Sequence, residues 1–183
     1  MILRVISGTR RGLKLESLDG LDTRPTLDRV KESIFSMIFD KPQGARVLDL
    51  FAGSGAMGIE AVSRGSEFAV FTDLNARACN VVRSNIKKAG FEDKSEVVQS
   101  DSADYISKAA LSGERFDIIF LDPPYSLGLL SRTLAQIREA GILAEGGIAV
   151  VEFDNGTDVD IQGYKLLKNK RYGRVCINIL EAQ

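Results

Sequence analysis

The chain has 183 residues, 44% of them hydrophobic, and a formal net charge of −1. That is enough for one domain with a real core, and it leaves no global basic field to announce a nucleic acid. It has no histidine and only two cysteines, Cys79 and Cys176, far apart in sequence. A Ser–His or Cys–His relay and a histidine metal ligand are therefore excluded, a disulfide framework or zinc site is not expected, and reduced thiols suit a cytoplasmic protein.

Residues 2–6 and 12–15 flank Ser7-Gly8-Thr9-Arg10-Arg11 and predict a short β-hairpin with a basic tip. No secretory signal is expected, because Arg4, Arg10 and Arg11 interrupt the N-terminus, and no apolar run approaches a membrane span. Thr23-Arg24-Pro25-Thr26 follows, with Thr26 as a candidate N-cap. Val30, Ile34, Phe35, Met37 and Ile38 then recur at helical spacing, and Pro42 and Gly44 close the extension. The chain divides into this extension, residues 1–44, and a main domain, residues 45–183.

From residue 46 strands and helices alternate. Strands are predicted over 46–51, 68–72, 95–99, 116–121 and 148–153, and helices over about 56–64, 75–89, 102–111 and 128–140. Lys165–Lys170 and Arg174–Leu180 read as two final strands joined near Tyr172-Gly173. Repeated βα units predict a mostly parallel sheet covered on both faces, and the final hairpin predicts an antiparallel edge.

The first strand leads into Gly53, Gly55 and Gly58, which match G-x-G-x-x-G, with Asp73 fifteen residues further on. This spacing raises a nicotinamide or flavin dinucleotide site and an oxidoreductase. Asp49, four residues before Gly53, opposes it: a carboxylate beside the glycine loop would repel a pyrophosphate. S-adenosylmethionine has no phosphate, and its ammonium and sulfonium groups favour an acid there. Asp73, at the second strand end, would accept from ribose hydroxyls. Asp101, after the third strand and beside Ser102, could accept from an adenine amino group.

The fourth strand, 116–121, runs directly into Asp122-Pro123-Pro124-Tyr125. Two prolines fix φ and remove two N–H groups, so the chain leaves the strand in a rigid, exposed shape. A carboxylate, free carbonyl oxygens and a flat ring then lie together, which suits an NH₂ group on a planar base.

Asp49-Leu50-Phe51-Ala52-Gly53-Ser54-Gly55 and Asp122-Pro123-Pro124-Tyr125 resemble class I S-adenosylmethionine-dependent methyltransferases of the amino-modifying kind. Arg4-Val5-Ile6-Ser7-Gly8, Thr23-Arg24-Pro25-Thr26, Arg29-Val30-Lys31-Glu32, Gly58-Ile59-Glu60-Ala61-Val62-Ser63-Arg64-Gly65 and Tyr172-Gly173 narrow the match, and the sequence resembles the RsmD family over almost its whole length. Asp73 stands where Glu is more usual, Ser7 where Gly is frequent and Tyr125 where Phe is also common; none of these removes a required group. The resemblance implies a Rossmann-like α/β fold with a seven-stranded, mostly parallel sheet, an antiparallel C-terminal strand, helices on both faces and a small N-terminal hairpin and helix. It implies methyl transfer from S-adenosylmethionine, leaving S-adenosylhomocysteine and using no metal, to N2 of a guanine in bacterial 16S ribosomal RNA, position 966 in the usual RNA numbering.

On that basis Asp122, Pro123, Pro124 and Tyr125 are the expected catalytic residues. Asp49, Phe51, Gly53, Ser54, Gly55, Asp73, Leu74, Asp101 and Ser102 are expected to hold the cofactor. Arg4, Arg10, Arg11, Arg24, Lys170, Arg171 and Arg174 are candidates for RNA phosphate contacts, since residues 1–15 and 164–174 are basic and carry no acid. The expected partner is 16S rRNA in the small subunit or an assembly intermediate, met by a monomer away from any membrane. A DNA adenine or cytosine amino methyltransferase, which shares both motifs, and a non-catalytic RNA-binding module are the alternatives besides the oxidoreductase.

Overall fold

The computed structural model describes residues 3–18, 25–123 and 128–183, with the side chains of residues 29 onward in the second segment. Thr23, Arg24, Pro124 and Tyr125, all singled out by the sequence, lie outside the described side chains.

The described elements run α1 (Pro25–Met37), β1 (Arg46–Asp49), α2 (Ala56–Ser63), β2 (Phe68–Asp73), α3 (Ala76–Ala89), β3 (Ser95–Gln99), α4 (Ser102–Ser112), β4 (Phe116–Leu121), α5 (Leu129–Ala140), β5 (Leu143–Asp154), β6 (Tyr164–Tyr172) and β7 (Val175–Ala182). The strands form one seven-stranded sheet in the order β3-β2-β1-β4-β5-β7-β6. β3, β2, β1, β4 and β5 are mutually parallel, and β7 runs antiparallel to both β5 and β6. The expected fold class is thus the observed one.

Strand alternation sorts the core into two layers. Val47, Phe71, Ile118, Phe120, Ile148 and Val150 face α1, α2, α3 and the N-terminal segment, with Val5, Leu15, Val30, Ile34, Phe35 and Ile38 packed among them. Leu48, Val70, Ile119, Leu121, Ala149 and Val151 face α4 and α5. Both layers are fully buried at their centres, so truncating Phe71 or Phe116 to Ala would cost about 3–5 kcal/mol.

Local chemistry explains most element ends. Asn75 and Asp101 cap α3 and α4 by accepting from Arg77 N and Ala103 N at 2.9 and 2.8 Å. Three boundaries differ from the sequence reading. α1 begins at Pro25, so Thr26 lies in the first turn rather than at the cap; proline's fixed φ suits that opening position. β5 begins at Leu143 rather than near Ile148, because a register shift between Phe116 and Ile118 lets Leu143 pair early. The N-terminal hairpin has a single bridge, Arg4 to Lys14, around a 3₁₀ turn at Gly8–Arg10. Its middle N–H groups are diverted: Ile6 N and Ser7 N donate to the Glu60 carboxylate at 2.7 and 3.0 Å instead of to a facing strand.

Candidate active site

Parallel strands present their C-terminal ends along one edge, where open α/β sheets bind ligands. Here the register does more. Asp49 pairs with Phe120, and Leu121 pairs with Val151, so the next residues, Asp122 and Glu152, stand side by side. Because side chains alternate, Asp49, Phe120, Asp122, Val150 and Glu152 all fall on the α1 face. They line a cavity of about 290 Å³, closed by Leu3, Ser17 and Leu18 of the N-terminal segment, by Val30, Lys31 and Ile34 of α1, and by the Phe51–Met57 loop.

The loop geometry requires glycine. Gly53 and Gly55 have φ of 53° and 76°, a region other residues rarely adopt, and a Cβ on Gly58 would strike the Phe71 ring. Two of the loop's N–H groups point to protein carboxylates: Gly58 N donates to Asp49 Oδ2 at 3.0 Å and Gly53 N to Asp73 Oδ2 at 2.9 Å. In a dinucleotide site such donors serve the pyrophosphate. Here acids occupy them, which argues against a phosphate-bearing cofactor and suits one with positive charge.

Asp49 is 4% exposed. Its carboxyl is pushed up to about 7, chiefly by burial and further by Asp122 and Asp73, against the Gly58 hydrogen bond. Asp122 keeps surface open to the cavity, but the protein packed around its carboxyl raises it above the usual range. Glu152 is raised by burial and by the adjacent Asp122 charge, as two close carboxylates require. Among the described residues no group of three or more His, Cys, Asp or Glu is placed to hold a metal ion.

The structure brings Asp49, Phe51, Gly53, Ser54 and Asp122 onto this cavity. Pro123 follows Asp122 and is buried. Asp73, Leu74, Asp101 and Ser102 stand outside the cavity, at the ends of β2 and β3. Asp73 also accepts from Asn75 N at 2.8 Å, and Asp101 spends one oxygen on its cap. A carboxylate has about four acceptor sites, so both retain capacity.

The basic candidates are spread over the surface: by strand alternation Lys170 shares the α1 face of β6 with Tyr172, whereas Arg171 falls on the opposite face. Arg10 is already engaged: its Nε donates to Ala89 O at 2.5 Å, its backbone N donates to Ser63 Oγ, and its guanidinium lies 5.5 Å from the Phe91 ring. Arg11 is exposed. Lys170 lies 5.1 Å from the Tyr172 ring, Arg171 Nε donates to Gly173 O, and Arg174 pairs with Asp154 at 2.8 Å. Tyr172 Oη bonds Ser33 Oγ, and Lys168 Nζ donates to Met37 O at 2.6 Å, tying β6 to α1.

Sequence reasoning missed Glu152, Lys31 and Glu60. Glu60 is fully buried and accepts from Ile6 N, Ser7 N and Arg64 Nε, with Lys31 Nζ 3.3 Å away. Lys31, 3% exposed, also donates to Arg4 O at 2.5 Å. This ionic hub fastens the N-terminal segment and α1 onto α2, and so builds one wall of the cavity. The available signal was an ionisable residue inside an apolar pattern, in β5, α1 and α2 alike.

Fold, glycine loop and acids at successive strand ends define a class I methyltransferase. The family described as Conserved hypothetical protein 95 matches residues 3–181. The Escherichia coli (strain K12) "Ribosomal RNA small subunit methyltransferase D" is 32% identical over 185 residues, covering 99% of this chain and 90% of the relative. The Bacillus subtilis (strain 168) protein YlbH is 43% identical over 157 residues, 86% of this chain and 85% of the relative. Among solved structures, "Putative methyltransferase yhhF from Escherichia coli" superposes with a TM-score of 0.88 at 31% identity, over 100% of this chain and 99% of that one. The chain belongs to this family, the RsmD family of methyltransferases.

Proposed function

We propose that this protein methylates ribosomal RNA, transferring a methyl group from S-adenosylmethionine to the exocyclic N2 amino group of a guanine in 16S rRNA of the small subunit. Position 966 is the target that the family resemblance implies. The observation that carries the reading is Asp122, directly after β4 and followed by Pro123, opening onto the same cavity as Asp49 and the glycine loop. The rRNA substrate is supported by the names of the relatives, including the Escherichia coli and Haemophilus influenzae small-subunit methyltransferases D.

The cofactor supplies an electrophilic methyl on a sulfonium. Asp49 lies where a carboxylate would offset positive charge, Gly53 lets the backbone approach closely, and Phe51 and Ser54 complete that wall, while Gly55, outside the lining, turns the loop behind them. Asp73 would accept from ribose hydroxyls, Asp101 with Ser102 from the adenine amino group, and Leu74, 68% exposed, offers an apolar surface beside them.

The guanine N2 lone pair is delocalised into the ring and attacks poorly. Asp122 and the Pro123 carbonyl would accept hydrogen bonds from its two N–H groups, holding the nitrogen for in-line attack, and the proton the nitrogen loses would pass to Asp122 or to solvent. Tyr125 would stack on the base, worth about 1–3 kcal/mol. Orientation supplies most of the rate, on the scale of effective molarities of about 10⁵–10⁸ M. A paired guanine must first be flipped out. Arg4, Arg11, Arg24, Lys170, Arg171 and Arg174, with Arg10 where its protein contacts leave donors, would meet phosphates. The substrate sets the compartment as the cytoplasm, and a monomer suffices.

Labelled methyl transfer to small subunits from cells lacking the enzyme, with mapping of the modified base, tests this reading. Methylation of guanine N2 is expected; transfer only to DNA, or tight NAD binding without S-adenosylhomocysteine binding, overturns it.

A further inference from the structure

Glu152 has no role in the transfer just described, yet it faces the same cavity. It stands beside Asp122 by register, on the strand face that also carries Val150, and both line the cavity wall. Among the described residues no hydrogen bond or ion pair is made to its carboxylate. Among the described residues lining the cavity the lysine is Lys31, which is committed to Glu60 and Arg4 O. Glu152 is half-buried in the cavity wall, and an incoming group that donates to its carboxylate would offset the cost of that burial.

The arrangement constrains the donor. If the reacting amino group sits at Asp122, a second donor must lie next to it on the same planar edge. Guanine carries N1–H immediately beside its 2-amino group. Adenine and cytosine carry a ring nitrogen with a lone pair beside theirs. We propose that Glu152 accepts the N1–H of the target guanine and is the specificity-determining residue that selects guanine at this site. This rests on the reading that Asp122 holds a purine amino group. Burial and the Asp122 charge push Glu152 up to about 8, and only the ionised carboxylate is an acceptor without an O–H, so the discrimination is read at pH 9.

The test uses small subunits reconstituted with rRNA carrying either guanine or 2-aminopurine at the mapped site. 2-Aminopurine keeps the 2-amino group but presents a lone pair at N1. The wild-type enzyme is expected to prefer guanine in kcat/KM by about 10–100-fold, the range for a hydrogen bond to a charged group. Glu152→Leu should bring the ratio near one, and Glu152→Gln, which keeps an acceptor oxygen, should restore part of it. Calorimetric S-adenosylhomocysteine binding confirms that each variant is folded. Full guanine preference in Glu152→Leu overturns the proposal while leaving N2 methylation intact. Wild-type transfer to neither RNA overturns the underlying reading, and this proposal with it.

Discussion

Replacing Asp49 with Asn isolates the cost of a buried acid under the glycine loop. The amide keeps the volume and still offers an oxygen to Gly58 N, which Asp49 Oδ2 now takes at 3.0 Å. Burial raises the Asp49 carboxyl from 3.8 to about 7. At about 1.4 kcal/mol per pKa unit, ionising it in the fold costs roughly 4 kcal/mol more than in the unfolded chain. Because the folded form holds the proton more tightly, nothing is lost below pH 4. Stability falls as pH rises from about 4 to 7, then levels off. From pH 5 to 8 Asp49 alone should remove about 2–3 kcal/mol. Asp122 and Glu152 are raised too and add to the same slope. Asp49→Asn should therefore be more stable than wild type at pH 8, by on the order of 2–4 kcal/mol, with the gap narrowing towards pH 5. Urea denaturation at pH 5, 6, 7 and 8 measures this. A variant less stable than wild type at pH 8, or a gap that does not change with pH, would refute the reasoning. The same variant should bind S-adenosylmethionine more weakly at pH 8, since the charge that destabilises the fold is the one offered to a cationic cofactor.

Other changes separate the parts of the molecule. Asp122→Ala should keep S-adenosylhomocysteine affinity within a few fold, yet transfer methyl at least about 100-fold more slowly, the lower range for losing one positioned polar group; near wild-type single-turnover rates would remove Asp122 from the reaction. Glu60→Ala removes the carboxylate that faces buried Lys31 and frees Ile6 N and Ser7 N, and should cost about 3–5 kcal/mol, seen as a lower urea midpoint and as faster proteolytic cleavage within residues 3–18. Neutralising Arg11, Lys170 and Arg171 together should flatten the salt dependence of RNA binding by a slope of about 2–3 without changing S-adenosylhomocysteine affinity; an unchanged slope would mark them as solvated side chains.

Several features were legible because their signals are local. Period-two and helical spacing placed the described strands and α-helices of residues 46–183 within a few positions, apart from the early start of β5, as tertiary packing reinforced them rather than opposing them. Asp122 and Pro123 were found because proline directly after an apolar strand has few meanings. Thr26 was misplaced because Pro25 opens α1 instead, and the hairpin was overdrawn because two of its N–H groups, those of Ile6 and Ser7, are claimed by Glu60, 53 residues or more away.

The sequence by itself determined the order of the elements, the glycine loop, and an acid at the end of each of the strands β1, β2 and β4, since all of these depend on neighbours a few residues apart. Only the tertiary structure decided that β1, β4 and β5 lie adjacent, which sets Asp49, Asp122 and Glu152 on one face of one cavity. It alone also turned Lys31 and Glu60 from charges on helices into the buried pair that fixes the cavity wall. The physical reason is that strand order and register are long-range pairings. Alternation along a strand says which residues share a face, but not which strand stands beside it.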